Sequence, residues 1–429
     1  MSTTPSSTPR RNAVPAGIVS TDVAERVAAL VASYPRDRSQ RIAARSSPFW
    51  SGLTETGTEL WLDTGDIDAA GQLWCDEFSA LTTNNTLLNK EVQKGTYDAF
   101  ISETARQLTD LDERQRVIEV AFVLNAVHAL RLVDRFDSRV SVELHTAMAD
   151  DVESAVFYGK RYFHLCPEHF IVKVPLTASG LIATRELRAA GVPVNFTLGF
   201  SARHNYLATA FARPSYVNVF LGRLGAYIAD NKLGDGKLVG ERTALASQAE
   251  IERAGANHDE PTLQIAASLR DAGQVRDLAG IDVFTMPTAV AAAAEKELDG
   301  RFDDRRETRY STRFSDAFTE KAIRADSLWE ISDEVEALVE SLDESVPATA
   351  EGLVERAHAS GCGDLFPNLS DADRERIRVD GKIPKHSAWS DRIADGGLAI
   401  DTLLNLAGLA SFAQDQAALD DRIRRLTAG

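Results

Sequence analysis

Between residues 59 and 286, this 429-residue chain repeats one arrangement: a short apolar run, usually followed by a stretch with helical periodicity. The runs fall at 59–63, 77–82, 140–144, 169–174, 193–198, 216–220, 263–267 and 281–286. Helical patterns stand at 86–107, 112–133, 151–163, 178–190, 202–212 and 241–254. Such alternation has two solutions, a closed parallel (β/α)8 TIM barrel or an open doubly wound sheet. The polar residues favour the barrel. Asp63, Asn84, Glu143, Lys173, Thr197, Asn218 and Arg223 lie at or just past the C-terminal ends of six successive strands. In a barrel those ends ring one mouth, where active sites are built. The period of two also puts Trp61 with Asp63, Ser141 with Glu143, Ile171 with Lys173, and Asn195 with Thr197 on shared faces.

The run Phe170 to Val174 would suit a strand buried on both faces, but Lys173 interrupts it. An ammonium there is costly to desolvate, and that cost lowers the amine pKa. A neutral amine is a nucleophile that forms a Schiff base with a carbonyl. The alternative is a lysine that snorkels to the rim or pairs with a carboxylate. Pro175 ends the strand, and Thr177 has the chemistry of an N-cap for the helix that follows.

Composition bounds the rest. A formal charge of -17 provides no basic excess for phosphate backbones and argues against a general nucleic-acid binder. Cys75, Cys166 and Cys362 are far apart and fit no disulfide framework, which points to a reducing cytoplasm. No apolar run reaches membrane-span length. Residues 1–57 read as a Ser/Thr/Pro-rich disordered tail of 21 residues, an amphipathic helix from Asp22 to Ser33, and a polar, broken segment from 35. The catalytic barrel is expected over 58–300. Residues 301–429 are expected to form a helical extension packed outside it, with helices at 329–342, 348–359 and 398–426 and a Gly-, Asp- and Pro-containing stretch at 361–386.

Several other signals carry little. The run His164 to His169 has no second ligand pair at zinc-like spacing, so no metal site is expected. Gly234 to Lys237 lacks the spacing of a nucleotide-binding loop and reads as a surface turn. Asp66 is expected to cap the following helix, and Trp61 and Trp74 to sit in the core.

The mouth residues sit in recognisable motifs. Leu62-Asp63-Thr64-Gly65-Asp66, Thr82-Thr83-Asn84, Val140-Ser141-Val142-Glu143 and Ile171-Val172-Lys173-Val174-Pro175 follow in order. Val194-Asn195-Phe196-Thr197, Phe220-Leu221-Gly222-Arg223, Ala267-Ser268-Leu269-Arg270 and Phe412-Ala413-Gln414-Asp415-Gln416 complete the series. The set resembles the transaldolase family over about 58–297 and 398–426. The resemblance implies a cofactor-independent enzyme that moves a dihydroxyacetone unit between sugar phosphates such as sedoheptulose 7-phosphate or fructose 6-phosphate. It implies Lys173 as the imine-forming residue, Asp63 as proton acceptor, and Glu143 with Thr197 as the pair that handles water. Asn84 and Asn195 would bind substrate hydroxyls, with Asn218 and Phe220 in the sugar pocket. Arg223, Ser268 and Arg270 would hold the phosphate, for which planar guanidinium forks are well shaped. A homodimer through the terminal helix is also implied.

Three positions depart from the family pattern: Asn85 where Pro is usual, His145 where Asp is usual, and Asn218 where Ser is usual. Rival functions are an aldolase that releases free dihydroxyacetone, an enzyme of a sulfonated or specialised sugar, and a silent sugar-phosphate-binding protein. Releasing relatives carry Tyr and Gln where this chain has Phe220 and Glu143, which favours transfer.

Overall fold

In the computed structural model, which describes residues 17–43, 45–316 and 318–427, eight parallel strands close into a barrel in chain order. They are β1 (Glu59–Asp63), β2 (Phe78–Thr82), β3 (Arg139–Glu143), β4 (Phe170–Pro175), β5 (Val194–Thr197), β6 (Tyr216–Phe220), β7 (Leu263–Ala267) and β8 (Val283–Pro287). β1 pairs with both β2 and β8, which closes the sheet and excludes the open alternative.

Alternation within each strand divides the core in two. Outward residues, among them Leu60, Leu62, Val140, Val142, Val172 and Val174, join the large apolar cluster between barrel and helices. Inward residues Trp61, Ala80, Ile171, Tyr216, Ile265 and Val283 form a separate cluster inside the barrel. Trp61 and Tyr216 meet edge to face at 4.7 Å there, so the barrel interior is plugged. Two residues further along β1 and β4, on the same inward face, stand Asp63 and Lys173. The apolar plug thus becomes the floor on which a polar layer rests.

The helices correct the sequence reading in places. The pattern over 86–107 is two helices, Asn85–Gln93 and Asp98–Arg106, because the chain turns at Gly95 with φ +83°. The stretch from 35 to 57 contains a helix, Pro48–Thr54, with Ser47 as N-cap and Pro48 in its first turn. Its Trp50 and Leu53 are fully buried. The Gly-, Asp- and Pro-containing stretch at 361–386 holds the helix Asp371–Asp380, which starts at a capping box from Ser370 and Asp373. The expectation for residues 1–16 of the tail lies outside the described residues.

Residues beyond 300 wrap the barrel. Helix Asp333–Glu344 packs on Ala202–Ala212, and Ala350–Ala359 on Ala178–Ala189. The last helix, Ile400–Thr427, lies against Asn85–Gln93, Asp98–Arg106 and Glu113–Phe136. A buried ion network fixes its start: Arg203 donates to Asp401 at 2.7 and 2.8 Å and to Asp364 at 2.9 Å, and Arg324 also reaches Asp364. From the same helix, Asn405 donates to the carbonyls of Leu176 and Leu198, just past β4 and β5. The helix therefore clamps two strand ends at the mouth. Cys75, Cys166 and Cys362 are free thiols. No helix among the described residues is long and apolar enough to cross a membrane.

Candidate active site

Asp63, Lys173 and Arg223 line one cavity of about 170 Å³ at the C-terminal mouth, together with Asn84, Asn218, Phe220 and Ser268. Lys173 is nearly buried, and its amine donates to the Thr83 carbonyl at 3.3 Å. It stands 3.8 Å from Glu143 Oε1. The other Glu143 oxygen accepts the Asn85 backbone N–H at 2.9 Å. Burial pushes the Glu143 carboxyl above its usual range; the Lys173 charge and the Asn85 N–H pull it back.

Asp63 is held by a relay of hydroxyls. Thr82 Oγ1 donates to Asp63 Oδ1 at 2.9 Å, and Thr285 Oγ1 lies 2.6 Å from Thr82 Oγ1. Since the Thr82 proton is committed to the carboxylate, Thr285 is the donor in the second bond. Burial raises the Asp63 pKa, opposed first by the Lys173 charge and then by the Thr82 bond. Two acids and one amine are thus gathered where charge is expensive.

The far side of the cavity is cationic. Arg223 is buried between the rings of Phe220 and Phe412, 5.3 and 5.9 Å from their centroids. Its Nη1 has no hydrogen-bond partner among the described residues. Burial and then the like charge of Arg270 pull the Arg223 pKa down to about 10. Ser268 has φ +65°, a left-handed conformation that costs a non-glycine residue about 1–2 kcal/mol. Arg270 is exposed on the rim.

The remaining residues of the set lie within the wall. Asn195 is fully buried, donating to Ser141 at 3.0 Å and accepting from Asn218 Nδ2 at 2.6 Å. Asn218 Nδ2 also donates to the Phe196 carbonyl at 3.0 Å, so Oδ1 is its atom with free hydrogen-bonding capacity. Thr197 is fully buried, with Oγ1 unpaired among the described residues. Asn84 Oδ1 caps the helix Asn85–Gln93 through Leu87 N at 2.9 Å.

A family model described as Transaldolase/Fructose-6-phosphate aldolase matches residues 60–347. The chain belongs to this family. Among curated proteins it is similar to a "Probable transaldolase" of Thermus thermophilus, 33% identical over 236 residues that span 54% of this chain and 88% of the relative. It is also similar to a "Transaldolase" of Photorhabdus laumondii, 29% identical over 250 residues spanning 56% and 76% respectively.

Against the transaldolase/aldolase pattern, the three departures now have positions. Asn218 faces the cavity. His145 does not; its Nδ1 caps a short turn through Ala147 N, and its Nε2 lies 3.2 Å from Asp420 on the terminal helix. Asn85 supplies the N–H that Glu143 accepts, a bond that proline in its place could not make.

Asp66 caps its helix through Asp68 N and Ala69 N, and Trp61 and Trp74 are core residues, as the sequence suggested. Sequence reasoning missed Thr82 and Thr285 as supports of Asp63, and Lys382 and Phe412 as cavity walls. Thr82 lay inside a quoted motif and Phe412 in another. Lys382 had no local signal.

Proposed function

We propose that this chain is a transaldolase that moves a dihydroxyacetone unit between sugar phosphates through an imine on Lys173. The observation that carries the reading is one cavity holding the Lys173 amine, the Asp63 carboxylate and, opposite, the buried guanidinium of Arg223, whose Nη1 is unpaired among the described residues. The amine adds to the C2 ketone of a ketose phosphate such as fructose 6-phosphate or sedoheptulose 7-phosphate, and water leaves as the imine forms. Asp63 takes the C4 hydroxyl proton, the C3–C4 bond breaks, and its electron pair moves into the iminium to give an enamine. An aldose phosphate departs. The enamine then adds to the acceptor aldehyde, Asp63 returns its proton, and water frees the new ketose from Lys173.

Glu143 and Thr197 suit the two water steps. One is a carboxyl whose pKa burial raises, the other a hydroxyl unpaired among the described residues. Asn84 and Asn218 line the cavity; in this scheme Asn84 meets a substrate hydroxyl and the free Oδ1 of Asn218 accepts one. Arg223, Ser268 and Arg270 bind the distal phosphate, which fixes the length of sugar between anion and imine. No cofactor enters this scheme, and a reducing cytoplasm is its setting.

The test follows fructose 6-phosphate with and without erythrose 4-phosphate. Transfer predicts turnover that requires the acceptor and yields sedoheptulose 7-phosphate. Release of free dihydroxyacetone at an equal rate without acceptor would establish the aldolase reading instead. Phe220 favours transfer, since it places an apolar ring where a phenol could protonate the enamine.

A further inference from the structure

We propose that Lys382, contributed by the extension beyond the barrel, is a third cation of the anion pocket and gives it a preference for dianionic phosphate over a monoanionic group such as a sulfonate. The proposal rests on reading Arg223, Ser268 and Arg270 as the residues that hold the substrate's distal anion.

Lys382 lines the same cavity as Arg223, Ser268 and Phe412, although it lies 159 positions after Arg223 in the chain (382 − 223). The helix Asp371–Asp380 ends at Gly381, whose φ of +73° turns the chain toward the mouth. The next residues are then fastened. Asn231 Nδ2 donates to the Pro384 carbonyl at 3.0 Å, and the His386 N–H donates to Asn231 Oδ1 at 2.8 Å. Tyr227 Oη and His386 Nδ1 are 2.8 Å apart. Tyr227 lies on, and Asn231 caps, the helix Leu221–Asp230, which also carries Arg223. On the other side, Gln414 donates to the Arg378 carbonyl at 3.0 Å, from the helix that carries Phe412. The helix Asp371–Asp380 and the loop after it are therefore tied, between them, to both elements that frame the guanidinium.

Among the described residues, Lys382 has no ion pair or hydrogen bond of its own. Asp415 is the nearby acid, and it already accepts the Thr86 hydroxyl. Partial burial and then the charge of Arg223 pull the Lys382 ammonium below its usual pKa, with Asp415 opposing and Lys90 and Arg270 adding to the effect. Gathering like charges around one cavity is unfavourable until an anion neutralises them. A phosphate ester carries up to two charges near neutral pH and offers three acceptor oxygens. A sulfonate brings one charge, so a third cation gains less from it.

The experiment titrates inorganic phosphate and, separately, methanesulfonate into the full chain, its Lys382→Met variant and its Lys382→Arg variant. Removing the charge should weaken phosphate binding about tenfold and methanesulfonate binding clearly less, with arginine restoring most of the loss. In turnover, Lys382→Met should raise KM for fructose 6-phosphate by a similar factor, with the loss in KM and not in kcat. Phosphate affinity unchanged in Lys382→Met overturns the proposal. Equal weakening of both anions overturns the selectivity. Because anion binding is read without turnover, an absence of transfer activity would count against the reaction and leave the role of Lys382 standing.

Discussion

Glu143 and Lys173 are register partners on neighbouring strands, and their side chains meet with the amine 3.8 Å from the carboxylate. Both point inward because both are two residues beyond an inward partner, Ser141 and Ile171. The geometry follows from barrel register alone. What distinguishes this chain is the third participant, the Asn85 N–H on the far oxygen of Glu143.

That bond yields a paired prediction. Asn85→Pro removes the donor and should lift the Glu143 pKa further, keeping the carboxyl protonated over more of the working range. A lost hydrogen bond to a charged group is worth about 1.5–3 kcal/mol, so turnover at neutral pH should fall at least roughly tenfold. Asn85→Ala keeps the N–H and should retain most of the activity. Equal losses in both variants would show that the N–H is not what matters.

On the proposed mechanism, Asp63 sets the acid limb of activity. As the proposed acceptor of the C4 hydroxyl proton it must be ionised, and burial raises its pKa above the ordinary 3.8. Activity should therefore rise with pH through a point above that value. A kcat/KM profile whose acid limb lies at or below 3.8 would contradict the assignment. Asp63→Asn, which keeps the shape and loses the base, should cost roughly 10²–10⁴-fold in rate.

Gly222 is where two backbones cross beside the proposed anion pocket. A Cβ there would lie 2.1 Å from the Ser268 carbonyl oxygen and 2.7 Å from Arg270 Cγ. Neither strain nor a rotamer change relieves a backbone contact that close, so Gly222→Ala should displace the Ser268–Arg270 segment. The expected result is a KM for fructose 6-phosphate raised about tenfold or more, with Lys173 chemistry on the bound sugar less affected. An unchanged KM would remove Ser268 and Arg270 from phosphate binding.

The terminal helix depends on Asp401. It is fully buried against Arg203, whose charge holds its carboxyl well below the usual range. Its contribution is present above the unfolded pKa and is lost as pH falls through the lower folded value. Asp401→Ala strands a buried guanidinium and should destabilise the protein by about 3–5 kcal/mol in urea denaturation. A change under about 1 kcal/mol would mean that Asp364 alone satisfies Arg203.

The barrel was legible because closure demands a regular pattern: polar residues recur at the same end of successive strands, and Lys173 stands out between Val172 and Val174. The break at Gly95 was not, since Leu88 and Val92 before it and Ile101 and Ala105 after it each keep helical spacing. The helix Leu221–Asp230 was also missed. It starts directly after β6 with Phe220 at its N-cap and no side-chain cap bond, so it lacks the usual starting signal. Among the site residues, those on strands could be placed from period and order. Lys382 could not, because its position is set by the bonds that its neighbours Pro384, His386 and Arg378 make to Asn231, Tyr227 and Gln414 on other helices.

The central claim is a covalent one, and reductive trapping reads it directly. Incubation with fructose 6-phosphate and borohydride, then digestion and mass spectrometry, should find a reduced three-carbon adduct on the peptide containing Lys173. Lys173→Ala should show neither adduct nor turnover. An adduct on another lysine, or undiminished turnover by Lys173→Ala, would contradict the account.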